Sequence, residues 1–163
     1  MLGPNVQPNY GCRRIAEVPM NVETILRSKG RDVLTIRPQD PVTTALAVLR
    51  DRNIGALVVS ADGETVDGII SERDIVHGLA DHASTLLSLR VAAVMSKPVT
   101  TCDPTDSVAD LMALMTNRRF RHLPVVRDGR LVGIVSIGDL VKSRLDEIEY
   151  EAHSLRSFIA GAA

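Results

Sequence analysis

Apolar residues fall at Val42, Ala45, Leu46 and Leu49, and the same spacing returns at Val108, Leu111, Met112 and Met115. Steps of i, i+3, i+4 and i+7 put each set on one face of a helix, so both stretches predict a helix with one buried side. After each helix comes a short run rich in β-branched residues that closes on Asp-Gly: ALVVSADG at 56–63 and LPVVRDG at 123–129. That pattern predicts a strand turning into a hairpin. Return strands follow, VDGIIS at 66–71 and LVGIVS at 131–136, and each runs into a second helix.

The pattern is therefore written twice. Residues 33–76 lie over 99–141, with Pro38 on Pro104, Asp40 on Asp106 and Val42 on Val108. The repeat ends in related phrases, GIISERDIV at 68–76 and GIVSIGDLV at 133–141, and the second copy is one residue shorter at its turn. Each copy reads β-α-β-β-α. One such unit has too few elements to cover both faces of its small sheet, so two packed together are expected to share the burial.

Paired β-α-β-β-α units carrying the LPVV…DG…LVGIVS…GDLV run and its GIISERDIV partner resemble a tandem pair of cystathionine-β-synthase (CBS) domains. The resemblance covers about residues 20–145. It implies an α+β fold of two packed units with small three-stranded sheets, and a regulatory module with clefts for adenosine-containing ligands. It also implies pairing into disc-like dimers. On this reading residues 1–20 are a mobile tail, 21–90 the first unit with its leading helix, 91–145 the second unit, and 146–163 a helical extension.

Ser71 and Asp74 in the first phrase, and Ser136 and Asp139 in the second, have the spacing of a capping box. The same helix starts also suit a ligand. Free N–H groups and the positive end of the helix dipole attract an anion, while a carboxylate at the mouth can accept from both hydroxyls of a ribose. The resemblance assigns the ribose role to Asp74 and Asp139 and the hydroxyl role to Ser71 and Ser136. Gly68 and Gly133 would let a ligand or neighbouring strand approach the backbone.

The halves are not equal. TNRRFRHLPVV brings Arg118, Arg119, Arg121 and His122 to the helix-to-strand turn of the second copy, where the first has Arg52, Gly55 and Ala56. Arginines there are either plain solvated surface or forked grips on phosphate. Arg73, inside the first phrase, is a further phosphate candidate whose counterpart is Gly138. Lys97 and Lys29, just ahead of the first strands, are further phosphate candidates, the alternative being plain surface. Adenine recognition is expected near Thr35, Ile36, Thr101 and Cys102, with no aromatic stacking, and Ala56 is a further ligand-binding candidate. The ligand implied is AMP, ADP, ATP or NAD.

After Asp139, Val141, Leu145, Ile148, Ala152, Leu155 and Ile159 follow alternating steps of four and three, the seam of a helix pair. A contact within a homodimer is expected there, the alternative being a helix folded onto its own domain.

Composition narrows the function. With 163 residues, 45% of them apolar, the chain can bury a core, and no apolar run reaches the ~20 residues of a membrane span. A net charge of −1 and an aromatic content of 2% argue against a nucleic-acid binder, although the short Arg118–His122 run keeps that reading open. Cys12 and Cys102 have no metal-ligand spacing and fit a reducing compartment, the cytoplasm. His77, His82 and His153 lack metal partners at ligand spacing, and no serine stands in a nucleophile elbow. The sequence thus predicts a regulatory binding module without catalysis, with an unidentified protein as one candidate target; the alternative is a structural or protein-interaction dimer that binds no nucleotide.

Overall fold

The structure is a computed structural model that describes residues 20–161. The expected tail, and with it Cys12, lies outside the described residues. The first repeat runs β1 (Thr35–Ile36), α2 (Val42–Arg52), β2 (Ala56–Val59), β3 (Gly68–Ser71) and α3 (Glu72–His82), preceded by α1 (Val22–Lys29). A 3-10 turn over Ala83–Ser88 and the short α4 (Val91–Val94) lead into α5 (Val108–Arg118), β4 (His122–Arg127), β5 (Arg130–Ser136) and α6 (Ile137–Gly161).

β1 pairs parallel with β2, and β2 antiparallel with β3, giving one three-stranded sheet. The second sheet has two strands, β4 and β5, with a bulge between Val125 and Val126. Where a third strand was expected, a single parallel bridge joins Cys102 to Val125. The two Asp-Gly turns also differ. Asp128 and Gly129 take positive φ values of 52° and 77° and close a tight hairpin. In the first repeat Asp62 instead organises a longer loop, its carboxylate accepting from the backbone N–H groups of Glu64 and Thr65 at 2.8 and 2.7 Å.

Two cores form, one per repeat, and the segments leading into them are exchanged. α1 precedes the first repeat, yet its buried Val22, Ile25 and Leu26 join Val108, Leu111, Met115, Leu123 and Val135 of the second. Val91 of α4 packs with Val42, Leu49, Leu57 and Ile70 of the first. The exchange is symmetric in its backbone bonds. Val22 N donates to Asp106 O and Val108 N to Met20 O, while Val91 N donates to Asp40 O and Val42 N to Leu89 O. The leading helix, grouped with the first unit by sequence, is therefore part of the second core. Each half is completed by a segment that enters from the other side of the chain, which ties the two together.

The repeated glycines serve this packing. A Cβ on Gly133 would lie 2.6 Å from Leu26 Cδ2, and one on Gly68 would collide with the Met95 side chain. The close approach expected at both positions is made by an apolar side chain of the swapped-in segment.

Candidate functional site

Ser71 caps α3 with the full capping box: Asp74 N donates to its hydroxyl, and Ser71 N donates to Asp74 Oδ2 at 2.7 Å. Ser136 and Asp139 repeat the arrangement at the start of α6, with Ser136 N to Asp139 Oδ2 also 2.7 Å. Capping is thus realised at both phrases. It leaves acceptor capacity on each acid, because a carboxylate offers about four lone-pair sites.

Around the first phrase lies a cavity of about 270 Å³, close to the lower end of small-molecule pockets, about 300 Å³. One wall is the start of α3, Ser71 through Asp74, with Gly55 and Ile69 beside it. The end of α5 and the turn into β4 contribute Arg118, Arg119, Phe120, Arg121 and His122, and the stretch before the second repeat's helix contributes Ser96, Pro98, Val99 and Thr100. Both repeats therefore build this one site. The arginines are delivered by an abrupt helix end: Arg119 takes the left-handed conformation with φ 58°, and its N–H bonds back to Met115 and Thr116. Asn53 does the same job in the first repeat with φ 52°. A small polar residue adopts that backbone more readily than arginine.

His122 sits over Gly55. A Cβ on Gly55 would lie 3.2 Å from His122 Cε1 and 3.6 Å from Glu72 Oε2. A side chain on Gly55 would crowd the imidazole. Burial, with the nearby Lys29 and Arg121 charges, pulls the His122 pKa below its ordinary value against the opposing pull of Asp139 and Glu72. It is therefore mainly neutral near pH 7, a switchable donor on the cavity wall.

Of the residues singled out by sequence, Ser71, Arg73, Asp74, Arg119, Arg121 and His122 come together here. Ser136 and Asp139, at the start of α6, do not line this cavity, although Ser136 pairs with His122 across β4 and β5. Ile36, Ala56 and Cys102 are buried. Cys102 belongs to the second core, and burial with the charges of Asp106 and Asp103 pushes its thiol up to about 12. Thr35, Thr101 and Lys97 are exposed and do not line the cavity. Strand alternation accounts for part of this, since Ile36 and Cys102 turn inward while their neighbours turn out. The place expected for Thr101 is taken by Val99 and Thr100. Phe120, which the sequence did not single out, also lines the cavity. Glu72 and Ser96 were missed. Ser96 comes from the segment before the second repeat, and its hydroxyl donates to Asp74 Oδ1 at 2.6 Å. Among the described residues no group of three His, Cys, Asp or Glu could hold a metal ion, and no helix is long and apolar enough to cross a membrane.

The CBS domain family model matches residues 22–81 and again 91–146. The chain belongs to the CBS domain family. As a tandem CBS pair it is a regulatory type of module, of mixed helix and strand with small sheets. It is 31% identical to the mitochondrial CBS domain-containing protein CBSX3 of Arabidopsis thaliana, over 99% of this chain and 87% of that one. A CBS-domain protein of Agrobacterium tumefaciens of known structure shares 44% identity, covering 77% of this chain and 99% of that chain, with a TM-score of 0.73. The CBS domain pair of protein MJ0100 was solved with 5′-methylthioadenosine and S-adenosyl-L-methionine. It is 26% identical, covering 80% of this chain and 98% of that chain, with a TM-score of 0.67.

Proposed function

We propose that this CBS pair is a non-catalytic sensor of an adenosine-containing ligand, bound in the cavity at Ser71–Asp74. The observation that carries the reading is the composition of that cavity. An acidic helix start with hydroxyl neighbours faces an arginine wall from the other repeat. Asp74 and Ser71 suit a ribose, and Phe120, Val99 and Ile69 offer apolar surface to a base. Arg119, Arg121 and Arg118 suit phosphates. The ligands of the MJ0100 pair support the adenosine part. The arginines favour AMP, ADP, ATP or NAD over a cationic sulfonium. Because the two walls belong to different repeats, a ligand that touches both favours one placement of the halves, and its differential affinity sets the size of the switch.

The test is thermal and calorimetric titration with AMP, ADP, ATP, NAD and S-adenosylmethionine, repeated on Asp74→Ala. A stabilising ligand among the phosphorylated set, lost in Asp74→Ala, supports the reading; no shift with any of them at millimolar concentration sinks it.

The state is read through a homodimer. On α6 the expected seam residues Val141, Leu145, Ile148, Leu155 and Ile159 are exposed, and Val76 and Leu79 on α3 are exposed as well. A second copy covering these helices would bury that apolar surface. Sedimentation of the wild type against Leu145→Asp/Leu155→Asp tests this: a dimer that the double substitution converts to monomer supports it, and a monomeric wild type ends it.

A further inference from the structure

The two phrases are alike in their caps and unlike in what touches their acids. At the first, Ser96 presents a hydroxyl to Asp74 Oδ1, and the Ser96 N–H donates to Ile69 O at 2.9 Å. At the second, a lysine from the swapped-in helix α1 takes both roles. Lys29 Nζ donates to Asp139 Oδ2 at 2.6 Å and to Ile134 O at 3.3 Å. Ile134 is the counterpart of Ile69, and Asp139 of Asp74. The packing of α1 aims the lysine: Leu26 seats on Gly133, and Lys29 follows three residues later on the same side.

A serine hydroxyl and a lysine tail do different things to a sugar site. The hydroxyl is short, rotates, and can accept as well as donate, so it can stay and share a ribose hydroxyl. The ammonium only donates, neutralises the carboxylate, and brings a four-carbon stem into the space in front of it. The cavity at the first phrase includes Ser96 and Asp74, while neither of the two cavities at the Arg119–Arg121 turn reaches Asp139.

We propose that Lys29 is a built-in occupant of the second phrase, holding Asp139 in place of a ribose, so that ligand enters at the first phrase and the second is the weaker site. The proposal rests on the adenosine reading above, and Lys29 adds to the difference that Arg73 and the Arg118–His122 turn already make between the halves. The lock is displaceable. The Lys29 and Asp139 side chains remain 41% and 23% exposed, so solvent screens the pair and it weakens the second site rather than abolishing it.

The experiment is AMP calorimetry on the full chain and on Lys29→Ala and Lys29→Arg, with the Asp139 carboxyl titration followed by NMR in each. One strong equivalent per chain is expected in the wild type. In Lys29→Ala a second should appear, or its affinity rise by roughly 5- to 10-fold, the scale of one partly exposed charge-assisted bond. Lys29→Arg should stay as the wild type. Equal strong sites in the wild type, or an unchanged second site in Lys29→Ala, overturn the lock. If no variant binds AMP, the ligand reading fails by itself, and the NMR arm still decides the contact. Asp139 should titrate higher in Lys29→Ala than in the wild type, and an unmoved titration refutes the occupancy.

Discussion

Arg73 of the first repeat donates from Nη1 to the backbone carbonyl of Arg119 in the second, at 2.9 Å. Sequence offered Arg73 as a phosphate grip, and it does line the cavity. Its hydrogen bond, however, goes to the turn that carries the other arginines. It spans the gap between a helix start in one half and a helix end in the other, so it couples the ligand wall to the relative placement of the repeats.

Arg73→Gln should therefore act on both stability and binding. Loss of one charge-assisted bond at an exposed site costs about 1 kcal/mol, which in a chain of this size lowers the melting temperature by about 2–4 °C. Nucleotide affinity should fall as well, because the Arg119 turn loses its strut. A variant that melts and binds as the wild type does would leave Arg73 as surface only.

Arg119 carries a backbone cost that its counterpart Asn53 avoids. Both cap a helix with positive φ. Arg119→Asn should raise stability by about 0.5–1 kcal/mol, because asparagine tolerates that conformation better. If the guanidinium is there for phosphate, the same change should weaken ATP or AMP binding by about tenfold. Opposite signs in denaturant melts and calorimetry are the expected signature. A stabilised variant with unaltered binding assigns the arginine no role in the site.

Gly133 and Leu26 test the exchanged helix. With 2.6 Å between an added Cβ and Leu26 Cδ2, Gly133→Ala overpacks a buried contact and should cost about 1–3 kcal/mol. Leu26→Ala removes the colliding atoms while opening a cavity of its own. The double variant should then be more stable than the sum of the single losses by about 1 kcal/mol or more, measured by urea unfolding. Strict additivity would mean that α1 does not press on that strand.

Much of the fold was legible because duplication prints the same constraints twice. Asp40 and Asp106, matched by sequence, make the same turn: each accepts from the backbone N–H three residues before it, at 3.0 and 2.8 Å. The apolar faces of α2 and α5 were legible for the same reason. The exchange of α1 and α4 was not, since an amphipathic helix announces that it has a buried face and not which core receives it. Site residues divide along the same line. Asp74 and Arg121 belong to phrases whose chemistry can be read locally. Ser96 and Lys29 reach their acids across 22 and 110 residues, and no local pattern announces either pairing, although Lys29 itself was named by sequence. Phe120 joined the cavity because the left-handed turn at Arg119 redirects the chain, a backbone event that an arginine does not advertise.

His122 should make the pH dependence of the protein visible. Its folded pKa is depressed, first by burial and then by Lys29, so below an unfolded value of about 6.5 the unfolded chain takes up the proton more readily than the folded one. Stability should therefore be full above that value and decline as pH falls from it toward the folded pKa. A phosphate-bearing ligand on the same wall reverses the preference, since a protonated imidazole next to an anion is favoured. Its affinity should strengthen over the same window in which the free protein weakens. His122→Gln keeps a donor but cannot titrate, and both trends should flatten in it, read by urea melts and by calorimetry with AMP between pH 5 and 8. If the slopes survive in His122→Gln, another group is responsible and His122 is only part of the packing over Gly55.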